Sequence, residues 1–359
     1  MTKSKTTSLA TALAIFASSF APTAQADELK KVSLAINDQL RVGYYWLYLP
    51  DTLGYWAEEG VEMEVATVSG ASGALQQVIA GRVEFGQIGA VRIVQANAQE
   101  GLPAQIAFMN GVFAWTIGIP ADSDIKTPAD MAGKKLGVYD ISANGNMFLA
   151  PYFESADIEM NDVTLIPVGF GGSALNALKN GDVDALYYWP SAFTTYEQQG
   201  NEFRYLSSPD WAHYPDFAVM ALGNVIEEDP DMVIGVARGM AKAYLFAETN
   251  PECAVKSFWQ AHPSAKPADM SEEDALAQDV AILKAQLAEY DGAQELFGEN
   301  IGATSAEAMG KLQDLLFTSG QLEQKGDAES MMVADPEYFN KVNDFDKAAI
   351  IASAEACAL

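Results

Sequence analysis

The chain has 359 residues, 49% of them hydrophobic, which excludes a disordered segment and is enough for two lobes with separate cores. With 49 acidic against 21 basic residues the net charge is −28, a field that repels nucleic acid and anionic lipid. Two cysteines and two histidines, His213 and His262, match no zinc spacing.

The first 26 residues read as an export signal: Lys3 and Lys5, an apolar run from Leu9 to Phe20, and the small-x-small site Ala24-Gln25-Ala26. Cleavage there predicts a mature chain that begins at Asp27 and carries a net charge of −30, because two lysines and no acid are lost. No Cys follows the apolar run, so a lipoprotein is not expected. No later segment holds the roughly 18 uninterrupted apolar residues of a membrane span. The expected location is the periplasm.

Residues 31–36 read as a buried strand, followed by a polar and aromatic loop at 37–46 and a helix over about 48–59 that Gly60 ends. Val61-Glu62-Met63-Glu64-Val65 alternates as a strand does. Ser69-Gly70-Ala71-Ser72-Gly73 opens a helix that stops at Gly81, 83–88 is a short strand, and Gly89 begins a helix to Gly101. This alternation predicts a largely parallel sheet with helices on both faces. A second lobe follows from near Pro120: a short helical turn at Pro128 and Asp130, strands at 135–139, 163–168 and 183–188, and helices at 144–155, 171–180 and after Pro190. A strand at 217–223 returns to the first lobe. Beyond Pro230 the chain is helical, with runs at 233–248, 272–289 and 305–317 that pack on the first lobe rather than form a third domain. The expected lobes are 27–115 with 216–359, and 116–215. The chain crosses between them near 112–119 and 211–217, and two crossings make a hinge. Cys253 and Cys357 either remain buried thiols or pair across about 104 residues, a closure worth about 4–5 kcal/mol in the entropy model.

An internal repeat supports two lobes with similar wiring. Ser72-Gly73-Ala74-Leu75 to Phe85 recurs as Gly172-Ser173-Ala174-Leu175 to Ala185, at an offset of 100, and Lys30-Lys31-Val32-Ser33-Leu34 is echoed by Lys134-Lys135-Leu136-Gly137-Val138. The offset is too long for a solenoid, whose units run about 20–50 residues. Two facing lobes make a cleft for a small ligand.

Ligands of open α/β sheets sit at the carboxyl ends of strands, so the loops there supply the candidates. They are Asp38, Tyr44, Tyr45 and Trp46 after the first strand; Ser69 and Ser72 after the second; and Ala90 and Arg92 after the third. Asn110, Trp115, Tyr214 and Asp216 lie at the crossings, and Ser142, Asn144, Phe170, Ser173 and Trp189 in the second lobe. The aromatic rings can stack on a flat solute or attract a cation. Arg92, in the first turn of a helix, is read as either a solvated cation or a clamp for a carboxylate, sulfonate or phosphate. Gly169-Phe170-Gly171-Gly172-Ser173-Ala174 also fits a dinucleotide fingerprint, although the repeat accounts for the same residues as a cleft loop. There is no G-x-S-x-G, P-loop or H-E-x-x-H sequence.

These stretches resemble a known family, the periplasmic solute-binding proteins for taurine, alkanesulfonates, nitrate and thiamine-type pyrimidines. Gly54-Tyr55-Trp56-Ala57-Glu58-Glu59-Gly60-Val61 is similar to its G-Y-F-x-x-E-G-L-x-V stretch, and Ser69 to Gly89 resembles its S-G-A…A-L-x-x-G-x-V-x-x-G-x-x-G run. Pro128 to Val138 resembles its L-K-G-K-K-I-G-V, and Gly181-Asp182-Val183-Asp184-Ala185 with Trp189-Pro190 its G-x-V-D-A…W-x-P. The resemblance implies a type II periplasmic-binding α/β fold with no enzyme activity and no cofactor. It implies a monomer that passes a small organic solute (sulfonate, aromatic acid or pyrimidine-like) to an ABC permease and, through it, a cytoplasmic ATPase. The alternatives are a ligand-presenting sensor and a pyrimidine-synthase-like enzyme of the same fold, whose Cys-rich cluster this sequence lacks. Two departures bear on the solute. Ala90-Val91-Arg92 stands where taurine-type members have Ser-Ser-Pro, and 41–46 is aromatic where pyrimidine-type members carry Asn and His.

Overall fold

The computed structural model describes residues 1–2, 28–36, 39–68, 70–357 and 359. The export signal with its cleavage site, Asp38 and Ser69 lie outside the described residues.

The chain runs through β1 (Lys30–Ile36), α1 (Tyr45–Thr52), α2 (Tyr55–Glu58), β2 (Val61–Thr67), α3 (Gly70–Ile79), β3 (Phe85–Gly89), α4 (Ala90–Glu100) and β4 (Ala104–Met109). After the first crossing come β5 (Thr116–Pro120), β6 (Lys135–Val138), α5 (Leu149–Glu154), β7 (Thr164–Pro167), α6 (Gly172–Lys179), β8 (Ala185–Tyr188), α7 (Pro190–Gln198) and β9 (Phe203–Leu206). The second crossing leads to β10 (Phe217–Leu222) and α8 (Gly223–Glu228). Then follow α9 (Pro230–Thr249), α10 (Pro251–Ala261), α11 (Glu272–Phe297), α12 (Ala306–Thr318), α13 (Tyr338–Val342) and α14 (Lys347–Ala356).

Two five-stranded sheets result, ordered β2-β1-β3-β10-β4 and β7-β6-β8-β5-β9. In each, the first three strands are parallel and the fourth is antiparallel to its neighbours. The repeat therefore falls on equivalent elements, α3–β3 and α6–β8, each beside the strand opened by a Lys-Lys pair. One reason for it is visible in the bonding. Glu84 accepts from the Ser33 backbone N–H at 2.7 Å, and Asp184 accepts from the Lys135 N–H at 2.8 Å. In both sheets the acid ahead of the third strand ties that strand to the second, β3 to β1 and β8 to β6.

The single helix expected over 48–59 is two. Gly54 is left-handed (φ 76°), which splits α1 from α2, and α1 begins at Tyr45. Tyr45 to Pro50 are all buried because α1 lies between the first sheet and helices α9 and α10, so it has no polar face by which a sequence could mark its start. Trp56 of α2 donates its indole N–H to the Val236 carbonyl at 3.0 Å and packs closely on Gly239 of α9. Similarly, the helix expected over 144–155 starts as a 3-10 turn at Asn144–Phe148 before α5.

The two crossings pair as a short antiparallel ribbon. Asn110 N–H donates to Phe217 O at 2.7 Å, Asp216 N–H to Gly111 O at 3.1 Å, and Phe113 N–H to Tyr214 O at 2.8 Å. Helix α11 braces this ribbon: Val112 N–H donates to the Glu289 carbonyl at 3.1 Å. The C-terminal helices were expected on the first lobe alone. α11 instead also packs on α7 of the second, where Ser191 Oγ donates to Gln286 Oε1 at 3.3 Å. Cys253, at the start of α10, is disulfide-bonded to Cys357 just beyond α14, and Asn250 Nδ2 donates to Ala354 O beside it.

Candidate ligand-binding site

A cavity of about 330 Å³ lies where the carboxyl ends of both sheets meet, a volume in the usual range for a small-molecule site. From the first lobe, Tyr44 and Trp46 at the start of α1, Gly70 to Ser72 at the start of α3, and Phe217 form its wall. The second lobe adds Tyr139, Asp140, the 142–145 turn, Gly169 and Trp189. Trp115 and Asp216 come from the crossings, and Gln286 and Glu289 from α11.

The rings are fixed by their neighbours. Trp46 donates its indole N–H to Gln87 Oε1 of β3 at 2.6 Å and packs against Tyr44 with centroids 5.3 Å apart. Trp115 and Trp189 are 5.4 Å apart, and Tyr139 stands edge-on to Trp189 at 5.9 Å. The lobes touch directly beside the cavity. A Cβ on Gly89 would come within 2.5 Å of Asn144 Nδ2, so only glycine permits this approach. Gln321 Nε2, beyond α12, donates to Met147 O at 2.7 Å.

Two buried carboxyl groups, Asp216 and Glu289, line the cavity, with Asp140 nearer its surface. Burial pushes Asp216 up to about 7, against a lowering hydrogen bond from Trp115. Glu289 is raised well above the ordinary range, first by burial and then by the charge of Asp216, against the hydrogen bond from Gln286. Among the described residues that line the cavity there is no Lys, Arg or His. Arg41 lies in an adjoining pocket of about 220 Å³, its guanidinium 4.7 Å from the Phe170 ring and 5.2 Å from Trp189.

Of the residues singled out in the sequence, Tyr44, Trp46, Ser72, Trp115, Ser142, Asn144, Trp189 and Asp216 lie on this one wall. The others lie elsewhere. Tyr45 points into the core toward Tyr244, 6.2 Å away. Ala90 is buried, and its N–H is taken by Asp216 O at 2.7 Å. Arg92 pairs with Glu100 at 2.6 Å along α4 and does not reach the cavity, so the anion clamp is not formed. The Asn110 side chain is buried and does not line the cavity. Phe170 faces the adjoining pocket, and Tyr214 packs on Phe148 at 5.6 Å. Ser173 Oγ donates to Val168 O at 2.7 Å, and Gly171 N–H donates to Tyr196 Oη at 3.1 Å. The glycine loop is thus occupied by its own lobe rather than open to a pyrophosphate.

Gln286 and Glu289 were missed. Gln286 occupies a stripe of α11 otherwise buried through Leu283, Tyr290 and Ala293, so a polar residue in an apolar row was the available signal.

A family model described as NMT1/THI5 like matches residues 44–254. The chain belongs to the NMT1/THI5-like family. A Brucella abortus protein named as a binding protein is 26% identical over 240 residues, 63% of this chain and 72% of that relative. The formylaminopyrimidine-binding protein of Halalkalibacterium halodurans is 23% identical over 256 residues, 70% of this chain and 77% of that one. Solved structures share the fold. The alkanesulfonate-binding protein SsuA from Xanthomonas axonopodis pv. citri, bound to MOPS, superposes with a TM-score of 0.62 at 16% identity, covering 84% of this chain and 97% of its own. The desulfurization enzyme DSZB does so at 0.55 and 14%, covering 87% and 99%. The fold of this NMT1/THI5-like chain is that of the periplasmic binding proteins, and it is mostly binding proteins that share it here. No helix among the described residues is long and apolar enough to cross a membrane.

Proposed function

We propose that the protein is the periplasmic solute-binding component of an ABC importer, which captures a small organic solute between its lobes and delivers it to a permease. The observation that carries this reading is the aromatic cavity at the carboxyl ends of both sheets, between lobes that the chain crosses twice. Closure of two domains about a hinge buries a solute and releases it again. Relatives named as binding proteins and the export-like N-terminus support the same reading. An anionic solute is disfavoured, because Arg92 is turned away and three acids, Asp140 and the buried Asp216 and Glu289, line the cavity.

The test is to purify the exported chain under native conditions and identify by mass spectrometry the small molecules released on unfolding. A thermal-shift screen of the emptied protein against sulfonates, aromatic acids, pyrimidines and amines follows. A specific solute that raises the melting temperature supports the reading. A protein that retains nothing and responds to nothing rejects it.

A further inference from the structure

We propose that the solute carries an ammonium-type cation, seated against the carboxylates of Asp216 and Glu289 and bounded by the rings of Trp46, Trp115 and Trp189. The proposal rests on the solute-binding reading above and names the charge of what is bound.

The two acids reach the cavity from different elements, Asp216 from the second crossing and Glu289 from α11, and both are more than nine-tenths buried. Trp115 donates to Asp216, and Gln286 Nε2 donates to one oxygen of Glu289 at 2.7 Å. The other oxygen, Oε1 of Glu289, is buried without a partner. A buried carboxylate of this kind is costly unless an opposite charge or further donors reach it.

No basic side chain supplies that charge among the described lining residues. Arg41 is engaged beyond the partition formed by Tyr44, Trp189 and Gln286, over the rings of Tyr44, Phe170 and Trp189. A bound ammonium group would supply the counter-charge, and the indole faces would attract the same group through their quadrupoles. A carboxylate or sulfonate would instead place a further negative charge beside two acids. The start of α3, with Ser72, forms another part of the wall and suits a hydroxyl or other acceptor on the same solute.

The experiment compares solutes matched in shape and different in charge, using the full mature chain at pH 8 and calorimetry. Choline is paired with its neutral carbon analogue 3,3-dimethyl-1-butanol, and phenethylamine with phenethyl alcohol; benzoate is the anionic probe. At least one cation is expected to bind ten times or more tighter than its neutral partner. Asp216→Asn and Glu289→Gln, each checked for an intact fold by circular dichroism, are expected to reduce that preference at least tenfold. A neutral or anionic probe that binds as tightly as the cations overturns the charge assignment and leaves solute capture standing. Failure of both cations to bind at millimolar concentration, with a solute of another charge recovered from the native protein, also overturns it. A native protein that retains and binds no solute at all removes both readings.

Discussion

Nε2 of Gln286 donates a 2.7 Å hydrogen bond to one carboxyl oxygen of Glu289, while the other oxygen is buried with no partner among the described residues. Asp216 shares the cavity and is buried beside Trp115. Both groups hold their protons more tightly in the folded chain than an exposed acid does, and this fixes the sign of a pH effect.

For Asp216, raised from 3.8 to about 7, the folded state binds the extra proton between those two values. Its contribution to stability is fully present below the unfolded pKa and is lost as pH rises through the folded one, on the order of 4 kcal/mol in all. Glu289 acts in the same direction. The groups facing Asp216 are Glu289 on α11, the Trp115 indole and the phenols of Tyr44 and Tyr187, with Arg41 beyond Tyr44. Melting the ligand-free protein between pH 4.5 and 8 beside Asp216→Asn isolates this term from the remaining acids. The wild type should lose stability relative to the variant as pH rises, and parallel curves would reject the assignment.

Trp189→Ala should weaken the solute found by screening by about 1–3 kcal/mol, through lost area and ring contact. Calorimetry measures this directly. Equal affinity would mean that the ring only closes off the Arg41 pocket.

Arg92→Ala should leave solute affinity within twofold, because the guanidinium is spent on Glu100. Stability should change by no more than about 1 kcal/mol, as for other partly exposed pairs. A large loss of binding would return this arginine to the site.

Gly239→Ala is expected to destabilise the fold by about 1–3 kcal/mol, although alanine favours helices. A Cβ there would stand 2.4 Å from the Trp56 ring, which is buried and bonded to Val236 O. Urea denaturation reads the cost, and the double variant Gly239→Ala, Trp56→Phe should recover part of it.

Replacing Cys253 and Cys357 together by alanine should cost about 2–5 kcal/mol, since the pair fastens α14 to α10 across 104 residues. Equal urea midpoints for the wild type and the double variant would show that packing alone holds α14.

Much of this fold was legible because glycines and alternating strands punctuate the chain at regular intervals. Gly60, Gly81, Gly101 and Gly181 all sit at positive φ where an element ends, and each had marked a boundary in sequence. β4, β5 and β9 were not legible: four to six residues between loops carry too little periodicity to separate strand from buried helix. The aromatic half of the candidate site follows strand ends and could be read. Glu289 could not, because its burial depends on α11 lying across the hinge, a tertiary fact that helical spacing does not encode. Arg92 misled for a related reason. Its position at a helix start is local, whereas its partner lies two turns further along the same helix.

The order of strands in the first sheet bears on how the molecule is made. Among the strands of the described residues β4 pairs with β10 alone, and β10 is reached only after the whole second lobe has been spelled out. A chain emerging from its N-terminus therefore holds β4 without a pairing edge until Leu222 has appeared, while the second sheet already has all five of its strands. The half written first is the half finished last. Such long-range pairing slows folding, so the first sheet is expected to close after the second.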